Sequence, residues 1–385
     1  PSLTTAKGGP YGWDALTYLC FSRYLRLDKE RGEGVLAAAK ALLDAGANAN
    51  TGWWEENTGE DRAFWESAIY GAAGVAQHAG LTKLLLERGA NPNDEETPYH
   101  IPETKDESVL RVVLESGKMD AESMTTMLLR KADWHDREGM RMLLEAGADP
   151  NRLTRWRNTA LHQAIRRDNA LENIELMLQY GADFSVVTTR DNMTAFALAA
   201  RRGRGDVLRL LASRGIPLSL EGVERLIAAC ALGDETDAQS LVAAHPEWRA
   251  AFLAQGGTFL AEFAGTGNAD GVRLLLDLGV SVDARYGGDG FFDIAKESTA
   301  LHVAAWKAWP RVVKLLIERG ADVDAHDARG RSALMLAVKA CVDSYWTYRR
   351  SPESVEALLD AGASRAGIHL PSGYTEVDAL LSGAT

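Results

Sequence analysis

Among the side chains able to do chemistry, the basic ones are the most regularly placed. Dibasic pairs recur at Arg130-Lys131, Arg166-Arg167 and Arg201-Arg202, and Arg152, Arg155, Arg157 and Arg204 join them. Guanidinium groups grip carboxylates or phosphates through paired hydrogen bonds, which lysine does not reproduce. From Ala121 to Gly215 there are 15 Lys+Arg against 12 Asp+Glu, a net of +3 within a chain of net charge −12, which leaves −15 for the rest. A basic stretch in an acidic chain suits an acidic segment of a partner. The overall charge argues against broad nucleic-acid binding, which needs a basic footprint.

Aromatic side chains form the second set. Trp53, Trp54 and Trp65 gather early, and Phe291, Phe292, Tyr345, Trp346 and Tyr348 late, with Trp306 and Trp309 beside the late group. Exposed aromatics anchor interfaces, so Trp53, Trp54, Trp306 and Trp309 are candidate contacts for a partner. The competing expectation is that each aromatic loop folds back into a small satellite core. Glu55-Glu56 beside Trp53-Trp54 is the pairing a sugar site would use, a weak signal.

Other candidates carry little chemistry. His135-Asp136 is a lone neighbour pair of the kind found in solvated turns. Gly265-Thr266-Gly267-Asn268 and Gly287-Gly288-Asp289-Gly290 lack the preceding strand and the following Lys-Ser/Thr that a phosphate loop needs. Cys20, Cys230 and Cys341 stand isolated in apolar helical patterns, with neither disulfide nor zinc spacing. No metal ligand set converges, and neither metal nor organic cofactor is expected.

Composition bounds the rest. The chain has 385 residues, 46% hydrophobic and 25% charged, a mixture typical of a folded soluble protein. No apolar run reaches the roughly 20 residues that cross a bilayer, and no membrane role is expected. The first residues, 1–5, lack the charged-then-apolar pattern of a secretory leader. The cytoplasm is the expected compartment.

The elements that would position these side chains announce themselves by repetition. Leu42-Leu43-Asp44-Ala45-Gly46-Ala47-Asn48 returns as Leu85-Leu86-Glu87-Arg88-Gly89-Ala90-Asn91 and as Leu143-Leu144-Glu145-Ala146-Gly147-Ala148-Asp149. Later copies end at Gly181, Gly320 and Gly362. Leucines bury a helix face, glycine takes the left-handed conformation that ends the helix, and Asn or Asp turns the chain away. A second phrase, Thr159-Ala160-Leu161-His162 and Thr299-Ala300-Leu301-His302, opens the units, threonine capping the helix start. Glycines 89, 117, 147, 181 and 215 are 28, 30, 34 and 34 residues apart, and the gap of 64 to Gly279 holds two units if 241–246 ends a degenerate one. Spacings of 41 and 42 follow, to Gly320 and Gly362.

Together the two phrases resemble the ankyrin repeat, whose signature is Thr-Pro-Leu-His at the first helix and Gly-Ala-Asp after the second. Residues 298–324 match it best. The resemblance implies an all-α ankyrin-repeat solenoid of about ten helix–turn–helix units forming a single domain over 1–385. The helix pairs are expected near 13–46, 67–89, 97–117, 122–147, 158–181, 193–215, 221–246, 257–279, 298–320 and 331–362, with 363–385 as C-terminal cap. Units that bury their faces only against neighbours stand or fall together. Insertions are expected at 21–34, 51–66, 284–297 and 341–352, and insertions in such arrays often line the binding face.

The resemblance further implies that His162 and His302 are structural, bonding between neighbouring turns. It places the dibasic pairs on groove-facing variable positions at the end of the first helices, side by side as a continuous stripe. Trp309 departs from the family, which has a polar residue there. The expected function is a protein-interaction module that takes an acidic segment in a groove with a basic centre and aromatic flanks. Its rivals are an enzyme or small-ligand receptor with a pocket between the aromatic insertions, lined by Trp53, Trp54 and Trp306, and a regulatory subunit of a partner enzyme. Fold alone does not choose among them.

Overall fold

A computed structural model of the chain describes residues 2–27, 29–56 and 63–383. Residues 57–62 of the second expected insertion, and the last two of the expected cap, lie outside them. The chain divides into two compact units, Pro1–Thr194 and Ala195–Thr385.

The first unit is built from helix pairs. Ala15–Cys20 is followed by Lys29–Asp44, Ala68–Tyr70 with its π-type continuation Gly71–Val75 by Ala79–Glu87, and Glu96–His100 by Ser108–Glu115. Ala121–Asp133 with Arg137–Glu145, then Ala160–Arg166 with Leu171–Gln179, complete it. The second unit repeats the arrangement from Ala195–Arg201 with Gly205–Ser213 to Ala333–Val342 with Glu353–Asp360, and ends on Thr375–Ser382. It also holds a helix that the spacing does not predict, Trp248–Ala254, entered where His245 stands in place of the terminating glycine and stacks on Trp248 at 3.9 Å.

Local chemistry accounts for the ends of many of the helices. Asp14, Asp120 and Thr159 accept from the backbone N–H three residues on, at 2.9, 2.8 and 3.3 Å, satisfying donors the first turn leaves open. At the other end Gly46, Gly89, Gly147, Gly279 and Gly320 have φ of +93°, +90°, +93°, +101° and +82°, where a Cβ would be strained. The leucines before them, such as Leu85, Leu143 and Leu316, are fully buried.

Neighbouring pairs are joined by two polar devices. His162 Nε2 bonds the Met193 carbonyl at 3.2 Å and His302 Nε2 the Arg331 carbonyl at 3.0 Å, each reaching the start of the following pair. Burial holds the His162 pKa down to about 4, so its imidazole is neutral, as this structural role requires. The second device is an asparagine two residues beyond the glycine phrase, at Asn50, Asn93 and Asn151. Asn50 Nδ2 donates to the Gly89 carbonyl at 3.0 Å while its Oδ1 accepts from Asn91 N at 2.8 Å. Asn93 makes the same clamp on Lys118 and Asp120, and Asn151 on Gly181 and Asp183.

The insertions are more ordered than loops. Much of 21–34 is helical, because Tyr24–Leu27 and the start of Lys29–Asp44 fall within it. The second makes an antiparallel ladder, Gly52–Glu55 with Phe64–Ser67, pairing Trp53 with Glu66 and Trp54 with Trp65. In the third, Tyr286 pairs with Ser298 and Asp289 with Ile294.

Candidate functional site

In the first unit, helix Ala121–Asp133 delivers Arg130 and Lys131 at its last turn, and Ala160–Arg166 delivers Arg166 and Arg167. Arg130 lies 4.0 Å above the Tyr99 ring and bonds Asp133 at 2.6 Å and Glu103 at 2.8 Å. The Asp133 carboxylate also takes Arg167 at 2.8 Å and Gln163 at 2.5 Å, so one buried carboxylate gathers two arginines. Around it is a cleft of about 150 Å³ lined by Tyr99, Trp156, Asn158 and Arg190 as well. Asn158 Oδ1 is buried there with no hydrogen-bond partner among the described residues. At the edge Arg155 lies 4.5 Å over Trp156 and pairs with Glu95 at 2.6 Å. Arg190 is half exposed.

Each of the six dibasic residues meets a carboxylate of its own chain. Arg166 pairs with Asp191, Arg201 with Glu224, and Arg202 with Glu262 at 3.0 Å. Repulsion among these like charges is thus already relieved internally. Lys131 departs furthest from expectation, because its side chain is completely buried. Its ammonium bonds Asp136 at 2.6 Å, the Thr104 carbonyl at 2.8 Å and Glu107 at 2.9 Å. Burial, then the hydrogen bond shared with Asp136, pushes Glu107 up to about 7. This is a structural charge cluster and leaves Lys131 nothing to offer a partner.

The late insertions close on themselves. Tyr286, Phe292, Ile294, Trp306 and Trp346 form a buried cluster with Val303 and Leu336. Trp306 donates from Nε1 to the Phe292 carbonyl at 2.6 Å, and buried Lys307 sits 4.1 Å from the Phe292 ring. Trp306 is 2% exposed and cannot anchor a partner; the satellite core is what the late aromatics make. Trp309 is half-buried, bonded to the Gly265 carbonyl at 2.8 Å and covered by Arg349 at 3.9 Å. Phe291, Tyr345 and Tyr348 stay exposed.

The early aromatics behave differently. Opposite pairing puts Trp53, Glu55 and Glu66 on one face of the ladder and Trp54 and Trp65 on the other, where these two rings meet at 5.2 Å with Trp54 60% exposed. The first face opens onto a cleft of about 570 Å³ that Tyr11, Trp13, Phe21, Arg23 and Tyr70 also line. Trp13 packs at 4.7 Å from Tyr11, 5.0 Å from Trp53 and 5.4 Å from Phe21. Burial, then the charges of Glu96, Glu55 and Asp94, pushes Glu66 up to about 7 although His100 opposes them. Trp53 Nε1 is buried without a hydrogen-bond partner among the described residues, a cost of about 1–3 kcal/mol. Tyr11, Trp13, Phe21 and Tyr70 fall outside every repeat phrase, so only their aromatic composition could have marked them.

Cys20, Cys230 and Cys341 are buried thiols whose burial raises their pKa, which makes them poor nucleophiles. Among the described residues no cluster of His, Cys, Asp and Glu could hold a metal ion. Among the same residues no helix is long and apolar enough to cross a membrane.

Comparison with known proteins bears on the repeats. A family model described as ankyrin repeats matches residues 128–221, 226–327 and 287–366, together more than half of the chain. The chain is 27% identical over 290 residues to the transient receptor potential cation channel subfamily A member 1 of Homo sapiens, covering 73% of this chain and 22% of the channel. It is 26% identical over 215 residues to the E3 ubiquitin-protein ligase KEG of Arabidopsis thaliana, covering 52% of this chain and 13% of the ligase. It therefore spans less than a quarter of the length of either relative. Among solved structures, the human ASB11 ankyrin repeat domain is similar at 25% identity and TM-score 0.29, over 62% of this chain and 99% of that one. The ankyrin repeat domain of Bcl-3 is similar at 21% identity and TM-score 0.25, over 60% of this chain and 97% of that one.

Proposed function

The chain belongs to the ankyrin-repeat family, whose repeats in general mediate protein–protein interaction, and from that premise we propose that it is an interaction module whose first unit takes an acidic segment of a partner protein. The observation that carries this reading is the cleft at Asp133, where one carboxylate is shared by Arg130 and Arg167. Arg155 and Arg190 lie at its edge with side chains 31% and 50% exposed. An incoming carboxylate would find guanidinium donors already held in place by aromatic rings, which lowers the ordering cost of binding. Exposed ion pairs contribute only about 0.2–1 kcal/mol each, so several must act together, and they would chiefly set association rate and salt dependence.

The test uses a fluorescent glutamate-rich peptide as probe, with Arg155→Glu/Arg190→Glu against the control Arg273→Glu/Arg311→Glu in the second unit. Peptide binding should weaken with salt and with the first double variant, and the control should bind like the native chain. Binding that ignores salt, or falls equally in both variants, refutes the assignment.

A further inference from the structure

The aromatic cleft near the start of the chain lies outside the residues that match the repeat family. We propose that it is a binding site for a methylated ammonium group, which the faces of Trp13, Trp53 and their neighbours and the carboxylates of Glu55 and Glu66 would hold. The inference does not depend on the arginine cleft, which different residues line.

Three observations lead there. First, Tyr11, Trp13, Phe21 and Trp53 pack ring against ring yet leave a cleft open beside them, where a satellite core would have closed it as the late aromatics do. Elsewhere the chain covers its rings with its own cations, at Tyr99, Trp156, Phe292 and Trp309. Among the described residues no lysine or arginine lies over these four rings.

Second, the ladder register places Glu55 and Glu66 on the same face as Trp53, so negative charge and aromatic faces line one cavity. Among the described residues Arg23 is the one cation that lines the cleft, and Asp94 and Glu96 act on Glu66 from behind against the opposing His100. A carboxylate as crowded as Glu66 has its charged form favoured by a nearby cation. Third, beside the two carboxylates the walls are mostly rings, from Tyr11, Trp13, Phe21, Trp53 and Tyr70. A bare ammonium brings three donors that must all be satisfied, whereas a trimethylated one brings none and is attracted by ring quadrupoles. A ligand of this chemistry could be a free choline-like molecule or a methylated lysine on a protein.

The full chain is titrated by calorimetry with choline and with its neutral analogue, in which a tert-butyl group replaces the trimethylammonium. Choline should bind about tenfold more tightly than the analogue, a ratio within the range of a desolvated cation–π contact. Glu66→Gln, isosteric and at a half-buried position, should weaken choline several-fold and leave the analogue unchanged. A peptide carrying trimethyllysine separates the sources: binding tighter than choline assigns the site to a modified protein, weaker binding to a free small molecule. The proposal is overturned if the analogue binds as well as choline, if neither choline nor the peptide binds, or if a neutral oligosaccharide binds where choline does not.

Discussion

Replacing Lys131 with methionine separates a docking lysine from a structural one. The ammonium is wholly buried and bonded to Asp136, Glu107 and Thr104 at 2.6–2.9 Å, so Lys131→Met leaves two buried carboxylates without their cation. Breaking a buried pair in this way costs about 3–5 kcal/mol. Methionine fills most of the lysine volume, so little cavity penalty adds to it. For a unit of this size each kcal/mol lowers Tm by about 2–4 °C, giving a fall of roughly 6–20 °C by calorimetry or circular dichroism. The loss should depend on pH with a definite sign. Glu107 is raised from 4.5 to about 7 in the folded chain, so its contribution is full below 4.5 and fades as pH rises through 7. Without the ammonium Glu107 is pushed higher still and Asp136, now held below its usual value, loses a bond that keeps it there, so the deficit should be greatest above neutrality and shrink in mild acid. A variant that melts with the native protein at every pH, and loses only partner binding, would refute the buried-cluster reading and restore Lys131 to the surface stripe.

Gly139→Ala tests the same cluster from the other side: its Cβ would lie 2.7 Å from Lys131 Cδ, and we expect about 1–3 kcal/mol of destabilisation by denaturant melts. Burial alone would lower the His100 pKa, yet hydrogen bonds to Glu103 and Glu96, both at 3.1 Å, raise it to about 9. Its contribution, at most about 3 kcal/mol, should be full below 6.5 and lost as pH rises through 9, and His100→Gln should flatten that fall in melting temperature. Trp306→Ala should cost about 3–5 kcal/mol and leave binding of the acidic peptide unchanged; a stability-neutral variant that loses binding would reinstate it as an anchor. Deleting residues 334–385 removes the neighbours of buried Val303 and Trp306, so light scattering should report aggregation; a monomer with unaltered Tm would count against it.

What the sequence determined by itself is what the chain decides locally. Gly46, Gly147 and Gly320 end helices because only glycine tolerates their φ, and Thr159 caps a helix through atoms three residues away. Such signals need no distant partner, so helix pairs and their order could be read from spacing, whereas the structural role of His162 followed only from the family resemblance, its bond reaching Met193 31 residues away. The extra helix Trp248–Ala254 escaped because His245 stands where the glycine signal was sought. The clamps of Asn50, Asn93 and Asn151 were visible as a repeating letter but not as a contact, since each reaches into the following pair.

Tertiary structure alone decided which charges and rings are free. Arg167 meets Asp133 34 residues away and Lys131 meets Glu107 24 away, so a regular row of basic residues is compatible with an open stripe or with internal neutralisation. Likewise two aromatic clusters of similar composition part company: the late one folds in, because Trp306 finds the Phe292 carbonyl and a hydrophobic pocket, while the early one lines an open cleft. Burial of a side chain is set by what packs over it, and that neighbour is chosen by the stacking of the helix pairs, not by the residues beside it in the chain.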